Sequence, residues 1–292
     1  MAEREERFLE LRPLLFSLAY RMLGTRADAE DVVQEAFLRW QGAEETEIRT
    51  PRSYLTTIVA RLSLDALKKA QRKREVYVGP WLPEPIVEPA GTHTMEMAES
   101  LSLAFLHVLE RLSPTERVVF LLREIFETPY IDVASILGIT EANCRQMVTR
   151  ARKRIRERHA RFQVDREQHL GAMNSFLAAC VSGDVSQLLR VLREDAVLYA
   201  DGGGKVTAAL NPIIGAERIA RFFAGIAKKG HFAELRAQPA EVNGRPGTLI
   251  YEGDRLESVV SVQVDEDGRI AMIFLVVNPE KLVHTAKVAG AN

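Results

Sequence analysis

Cysteine is almost missing from this chain, with two in 292 residues, Cys144 and Cys180. They lie far apart and offer neither metal-ligand spacing nor a disulfide framework, so a reduced setting is expected and no metal site. Cys144 reads as a small half-buried side chain rather than a redox sensor. Also absent is any apolar run near the ~20 residues that span a bilayer. Met1 to Glu10 is too charged to act as a signal peptide. The expectation is a cytoplasmic protein with no membrane attachment. Excess charge of one sign is lacking too: the net charge is −1, so the whole chain advertises no polyanion partner. What remains is an ordinary folded composition, 47% hydrophobic and 27% charged, at a length that allows two or three domains.

The distribution of charge says more than its sum. Basic residues bunch into Lys68–Arg74 and Arg145–Arg161, the second holding eight Lys/Arg against the single acid Glu157. The second patch continues a recognisable pattern. Val133, Ile136 and Leu137 fall at the i, i+3, i+4 spacing of a buried helix face. Gly138 then supplies the left-handed residue that ends a helix, and Thr140 is a good N-cap for the next one. Two short helices joined this way form a DNA-binding helix-turn-helix, whose second helix enters the major groove. Thr140, Asn143, Arg145 and Gln146 lie where side chains reach base edges. Arg150, Arg152, Lys153 and Arg154 suit phosphates, which set affinity without reading sequence. A solvated amphipathic helix is the competing reading of the charge.

The first ~75 residues also read as helices. Leu11, Leu14, Leu15, Leu18 and Met22 make one stripe; Val32, Val33, Ala36, Phe37 and Trp40 make another, behind an acidic first turn. Pro51 suits a helix start, and Ser53 to about Arg74 turns Tyr54, Leu55, Ile58, Val59, Leu62 and Leu67 inward. Here the sequence resembles a known family. Asp28–Leu38 (DAEDVVQEAFL) is similar to region 2 of sigma-70 type sigma factors, especially the small extracytoplasmic-function group. Pro51–Leu55 and Asp65–Lys69 look like the rest of that domain, while Leu112–Arg117 and the helix-turn-helix resemble region 4. The resemblance implies that Asp28, Asp31, Gln34, Glu35 and Leu38 dock on the clamp helices of RNA polymerase's largest subunit, with the flap as a second core contact. It implies that Arg52, Tyr54, Arg61, Lys68 and Lys69, with the loop Glu44–Pro51, engage and open the −10 element of promoter DNA, while Asn143–Arg150 reads the −35 element. Opening a duplex needs cations tracking phosphates beside aromatic groups that receive unstacked bases, and Arg52, Tyr54 and Arg61 fit that need. Core packing competes for Tyr54, structural ion pairing for Arg52 and Arg61, and plain solvation for the acidic face.

Residues 76–97 read as a linker, since Pro80, Pro83, Pro85 and Pro89 favour an extended path. Trp81–Leu82 is odd there, an exposed apolar pair in a rigid setting that suits insertion into a pocket. A helix from Met95 to Leu112 is expected next. After Phe162 the pattern becomes helices at Gln168–Val181, Gln187–Leu192 and Ala216–Ile226. Strands are expected at Asp195–Ala200, Ala233–Val242, Gly247–Glu252, Arg255–Val264 and Ile270–Val277, with turn signals between the later ones. This α+β order resembles the cone-shaped SnoaL-like (NTF2-like) domain. The organisation expected is region 2 over 1–75, the linker over 76–97, region 4 over 98–163 and a SnoaL-like regulatory domain over 164–292: two all-α sigma domains and then an α+β cone.

Three motifs sharpen the resemblance to the sigma-factor subgroup with a fused SnoaL-like domain: Trp81–Pro85 (WLPEP), Asp201–Lys205 (DGGGK) and Asn278–Leu282 (NPEKL). It implies that Trp81, Leu82, Pro83, Asp201, Gly202, Gly203, Gly204, Lys205, Asn278 and Pro279 form an interdomain regulatory site, with no separate anti-sigma protein. Taken alone, Asp201–Lys205 is either a hairpin turn or a docking loop, and it lacks the spacing of a phosphate cradle. The leading reading is a sigma factor without catalysis or cofactor. The alternatives are a C-terminal domain that keeps a cyclase- or isomerase-like activity, with Asp195, Tyr199, His231 and Asp254 as the available cavity groups, a pocket for a small ligand without turnover, and a ligand-sensing repressor. The region 2 resemblance weighs against the repressor.

Overall fold

The computed structural model of the chain describes residues 2–44, 50–88, 100–156 and 164–289. Most of the loop Glu44–Pro51, the linker beyond Glu88, the first residues of the helix expected from Met95, and Arg158 and Arg161 lie outside the described residues. The chain divides into two compact units: residues 1–76 with 108–159, and residues 77–107 with 160–292.

In the first unit α1 (Ala2–Leu23), α2 (Arg26–Gly42) and α3 (Pro51–Arg74) form a bundle. Leu15, Leu18 and Met22 are buried with Val32, Val33, Ala36, Leu55, Val59 and Leu67, which are the stripes expected from the sequence. Thr50 caps α3 by accepting the Ser53 N–H at 3.2 Å, with Pro51 in the first turn. After α4 (Leu103–Leu109), which the division cuts between His107 and Val108, comes α5 (Pro114–Glu124). A reciprocal capping box between Ser113 and Glu116 starts α5. The pair α6 (Tyr130–Leu137) and α7 (Glu141–Arg156) follows. A buried ion cluster ties this unit together. Glu110 pairs with Arg74 at the end of α3 and with Arg117 on α5, at 2.7 Å for Arg117, which also donates to the Met22 carbonyl at 2.8 Å.

The second unit adds α8 (Arg166–Ser182), α9 (Val185–Val191), α10 (Ala216–Lys228) and α11 (Pro279–Ala289) to a seven-stranded sheet. Its strands are β1 (Val87–Glu88), β2 (Leu192–Asp201), β3 (Ile213–Ile214), β4 (Leu235–Val242), β5 (Arg245–Glu252), β6 (Arg255–Val264) and β7 (Ile270–Val276). Their order is β1-β4-β5-β6-β7-β2-β3, with β2 parallel to β7 and the other pairs antiparallel. Alternation along each strand divides the core in two. Ala196, Leu198, Val260, Val262 and Ile273 pack with Met173, Phe176, Leu188, Ile219 and Phe223 of α8–α10. Leu249, Tyr251, Val259, Phe274 and Val276 face the other way and meet Leu82, Leu103, Ala104 and Leu282. The C-terminal part is thus an α+β domain of the NTF2/SnoaL-like kind, its second face closed by Leu82, Leu103 and Ala104 and by Leu282 of α11.

The segment expected to link regions 2 and 4 belongs, from Tyr77 through Glu88, to this unit. Leu82 is 0% exposed rather than presented to solvent, and burying such a side chain is worth about 1.5–3 kcal/mol. The expected turn at Glu252–Asp254 is present, as is the turn at Asn243–Gly244, where both residues adopt positive φ. The C-terminal helix α11 was not expected. Its signal is nevertheless ordinary: Asn278 caps by accepting the Glu280 N–H at 3.0 Å, and Pro279 is the first helical residue.

Candidate nucleic-acid interface and the strap clasp

The helix-turn-helix is built as its residues dictate. Gly138 ends α6 at φ +66°, and the Thr140 hydroxyl accepts the Asn143 N–H at 3.2 Å. Cys144, Val148, Ala151 and Ile155 form the buried stripe of α7, and burial pushes the Cys144 thiol up from its ordinary value. At 3.6 residues per turn the opposite stripe is Gln146, Arg150 and Lys153, all exposed. The remaining arginines flank it and are already engaged. Arg152 forms a two-pronged pair with Glu124 at 2.7 and 2.8 Å, Arg154 pairs with Glu116 at 2.7 Å, and Arg145 pairs with Glu141 at 3.0 Å. Asn143 is half-buried on the far flank from Arg145. Hence the residues expected to share one groove-facing surface divide between an open stripe and two braced edges.

On α3, Arg52, Lys68 and Lys69 are exposed, with Lys68 4.0 Å from Asp65. Tyr54 is half-buried with its ring 5.9 Å from that of Trp40. Arg61 is exposed and donates its Nε–H to the Ile136 carbonyl on α6 at 2.8 Å, which leaves its terminal nitrogens available. On α2, Asp28, Asp31, Gln34 and Leu38 are exposed and Glu35 is braced by Arg39 at 2.8 Å. Leu38 is 57% exposed at the end of this acidic face.

The three motifs around residues 81, 201 and 278 meet in one clasp. Asp201, at the end of β2, is 0% exposed. Its carboxylate accepts from the Tyr77 hydroxyl at 2.5 Å, the Leu82 N–H at 2.8 Å and the Lys281 ammonium at 2.6 Å. That ammonium also donates to the Leu82 carbonyl and lies 4.1 Å from the centroid of the Trp81 ring and 5.1 Å from that of Tyr77. Asn278 donates to the Tyr77 hydroxyl at 2.9 Å. Burial, then the hydrogen bond to Asp201, raises the Tyr77 phenol above its ordinary range. Gly203 is required here, because a Cβ would sit 2.3 Å from Asn278 Nδ2 on a backbone at φ +59°. Lys205 reaches Glu280 at 3.1 Å on the surface. Pro83 is buried, and the strap runs on to a second anchor. There the Thr285 hydroxyl donates to the Pro85 carbonyl at 2.9 Å. Ile86 and Asn243 exchange hydrogen bonds at 2.7 and 3.0 Å, and β1 pairs with β4. Lys281, Tyr77 and Asn243 were missed as site residues. Lys281 lies inside NPEKL and Asn243 inside a visible turn signal, while Tyr77 carries no local signal.

The four groups considered for a catalytic cavity do not converge. Asp195 is exposed and pairs with Arg193, and His231 faces Glu257 at 3.2 Å. Asp254 is exposed in the β5–β6 turn, while Tyr199 stacks on Phe274 at 5.7 Å on the strap side of the sheet.

A bundle followed by a helix-turn-helix with a cationic open stripe defines a DNA-binding protein. The family comparison agrees, with Sigma-70 region 2 matching residues 8–73 and Sigma-70 region 4 matching residues 102–155. The chain belongs to the extracytoplasmic-function (ECF) sigma factors of the sigma-70 family. It is 37% identical over 94% of its length to ECF RNA polymerase sigma factor SigJ of Mycobacterium tuberculosis, covering 91% of that protein. It is 35% identical to the probable ECF RNA polymerase sigma factor SigI of the same organism, covering 93% of this chain and 92% of that one. The crystal structure of SigJ superposes with a TM-score of 0.77 over 96% of this chain and 98% of the other, at 35% identity. Among the described residues no helix is long and apolar enough to cross a membrane.

Proposed function

We propose that this sigma factor is governed in cis by its C-terminal domain through the strap Tyr77–Glu88, without a separate anti-sigma protein and without catalysis. The clasp carries the reading. Asp201 and Lys281 belong to the C-terminal domain, yet their buried charges are spent on Tyr77, Trp81 and Leu82, in the stretch that joins region 2 to region 4. Whatever loosens or tightens that grip changes the length of free chain between the two promoter-binding regions, and so their reach.

In this account the exposed face Asp28, Asp31, Gln34, Glu35 and Leu38 docks on the clamp helices of the largest polymerase subunit, and region 4 takes the flap. Arg52, Tyr54, Arg61, Lys68 and Lys69 engage the −10 element. Gln146, Arg150 and Lys153 face the −35 groove floor and backbone, with Arg145 and Asn143 reading from the flanks and Arg152 and Arg154 supporting on phosphates. The test is promoter-dependent transcription by core polymerase with Trp81→Ala and Asp201→Asn variants of the full chain. Altered output with undiminished affinity for −35 duplex DNA is expected. Output equal to that of the parent chain from both variants sinks the cis-regulatory reading.

A further inference from the structure

Tyr130 is the first residue of α6 and lies outside both the buried stripe of the helix-turn-helix and its open cationic stripe. Its half-buried ring nevertheless receives two guanidiniums. The Arg145 guanidinium carbon is 4.3 Å from the ring centroid and that of Arg123 is 4.7 Å away. Arg123 is fixed from its other side by a hydrogen bond to the Thr128 carbonyl at 3.3 Å. Arg145 is held at one terminal nitrogen by Glu141, at 3.0 Å. An exposed arginine in the first turns of a recognition helix would otherwise sample many rotamers and lose that freedom on binding. Stacking on a ring fixes the guanidinium plane, and an ion pair to one nitrogen fixes rotation within that plane. Together they leave the remaining N–H edge as a preset donor pair, the geometry by which arginine reads guanine O6 and N7.

We infer that Tyr130 is a positioning residue for promoter reading: its ring presets the Arg145 edge for a guanine at one position of the upstream promoter element. The inference rests on the reading of α7 as the −35 recognition helix, and the test separates the two. Full-length protein is titrated against −35 duplexes varied one base pair at a time, and against random duplex, at several salt concentrations. Arg145→Ala abolishes preference at one position. Tyr130→Leu lowers preference at that same position about two- to fivefold, the range of an exposed cation–π contact. It leaves random-duplex affinity and the salt slope unchanged, because the charge of Arg145 is still present. Tyr130→Phe keeps the parental preference, and Tyr130→Leu adds nothing on top of Arg145→Ala.

A readout independent of DNA is the Arg145 Nε–H resonance, ring-shifted in the parent and in Tyr130→Phe and unshifted in Tyr130→Leu. Loss of preference in Arg145→Ala but not in Tyr130→Leu overturns the positioning role alone. Equal losses on specific and random DNA in Tyr130→Leu, or a loss in Tyr130→Phe as large as in Tyr130→Leu, do the same. No change at any position in Arg145→Ala overturns the base-reading assignment and the inference together.

Discussion

Lys281→Met removes one charge from the clasp and keeps the length of the side chain. Asp201, fully buried, then retains the Tyr77 hydroxyl and the Leu82 N–H but no cation. An uncompensated buried charge left by deleting its partner costs about 3–5 kcal/mol. The strap is the weakest place to yield, since releasing it rehydrates Asp201 without unfolding the sheet. The expected effect is therefore local. At a factor of ten per 1.4 kcal/mol, amide exchange at Leu82 in full-length protein accelerates about a hundred- to a few thousandfold. Exchange in β5 and β6 hardly changes. Asp201→Asn in the same background removes the lone charge, so the double variant loosens less than the two single losses combined, a coupling of about 1–3 kcal/mol. Unchanged Leu82 exchange in Lys281→Met refutes the reasoning, and so does a double variant looser than the two single losses combined.

Glu110→Gln takes the shared acid from Arg74 and Arg117 and is expected to cost about 3–5 kcal/mol, read as a lowered midpoint in denaturant unfolding of the full chain. Burial raises the Glu110 carboxyl, but Arg117 and Arg74 outweigh it and hold the group below its ordinary value, so the charged form is the one removed. His169 gives a pH dependence of defined sign. Burial, then Arg245 and Arg166, lower it to about 4 from an ordinary 6.5, so the unfolded chain binds its proton first. Stability is whole above pH 6.5 and falls by about 3 kcal/mol as the pH drops towards 4; a His169→Leu chain lacks that part of the slope in unfolding midpoints taken across the range. Arg150→Ala, on the open stripe, should reduce the salt slope of DNA binding by about one unit on every sequence. Arg154→Ala, already neutralised by Glu116, changes that slope less in the same titration. Gly138→Ala, with open space around its Cβ but φ at +66°, costs about 1 kcal/mol in thermal unfolding, whereas Gly203→Ala collides with Asn278 and frees Leu82 to exchange.

How much was legible depended on whether the signal was local. The stripe Leu15, Leu18, Met22, the Gly138–Thr140 turn and the proline start of α3 are short-range patterns, and the helices lie where those patterns place them. The later strands agree in the same way, because alternation and turn residues sit within a few positions of each other. Parallel pairing of β2 with β7 joins residues over 70 apart in sequence and leaves no local trace. The proline setting of Leu82 suggests insertion, but the surface that receives it, a sheet face completed from β4 to β7, has no local signal. The prolines of the strap correctly indicate extended chain, but not that the chain lies on a sheet. At the recognition helix, residue type was readable while availability was not. Glu116 and Glu124 are on α5, so nothing near Arg152 or Arg154 in sequence announces their pairing. Tyr130 and Arg145 meet across the turn for the same reason.

The most direct test is run-off transcription with purified core RNA polymerase and a promoter library, comparing the parent chain with Lys281→Met. The account predicts that the parent starts transcription from a defined promoter class. It also predicts that the variant, with Leu82 released, changes output without changing affinity for the −35 duplex. Absence of initiation by the parent contradicts the assignment as a sigma factor. Identical output from parent and variant, with the strap shown to be free, contradicts control by the C-terminal domain.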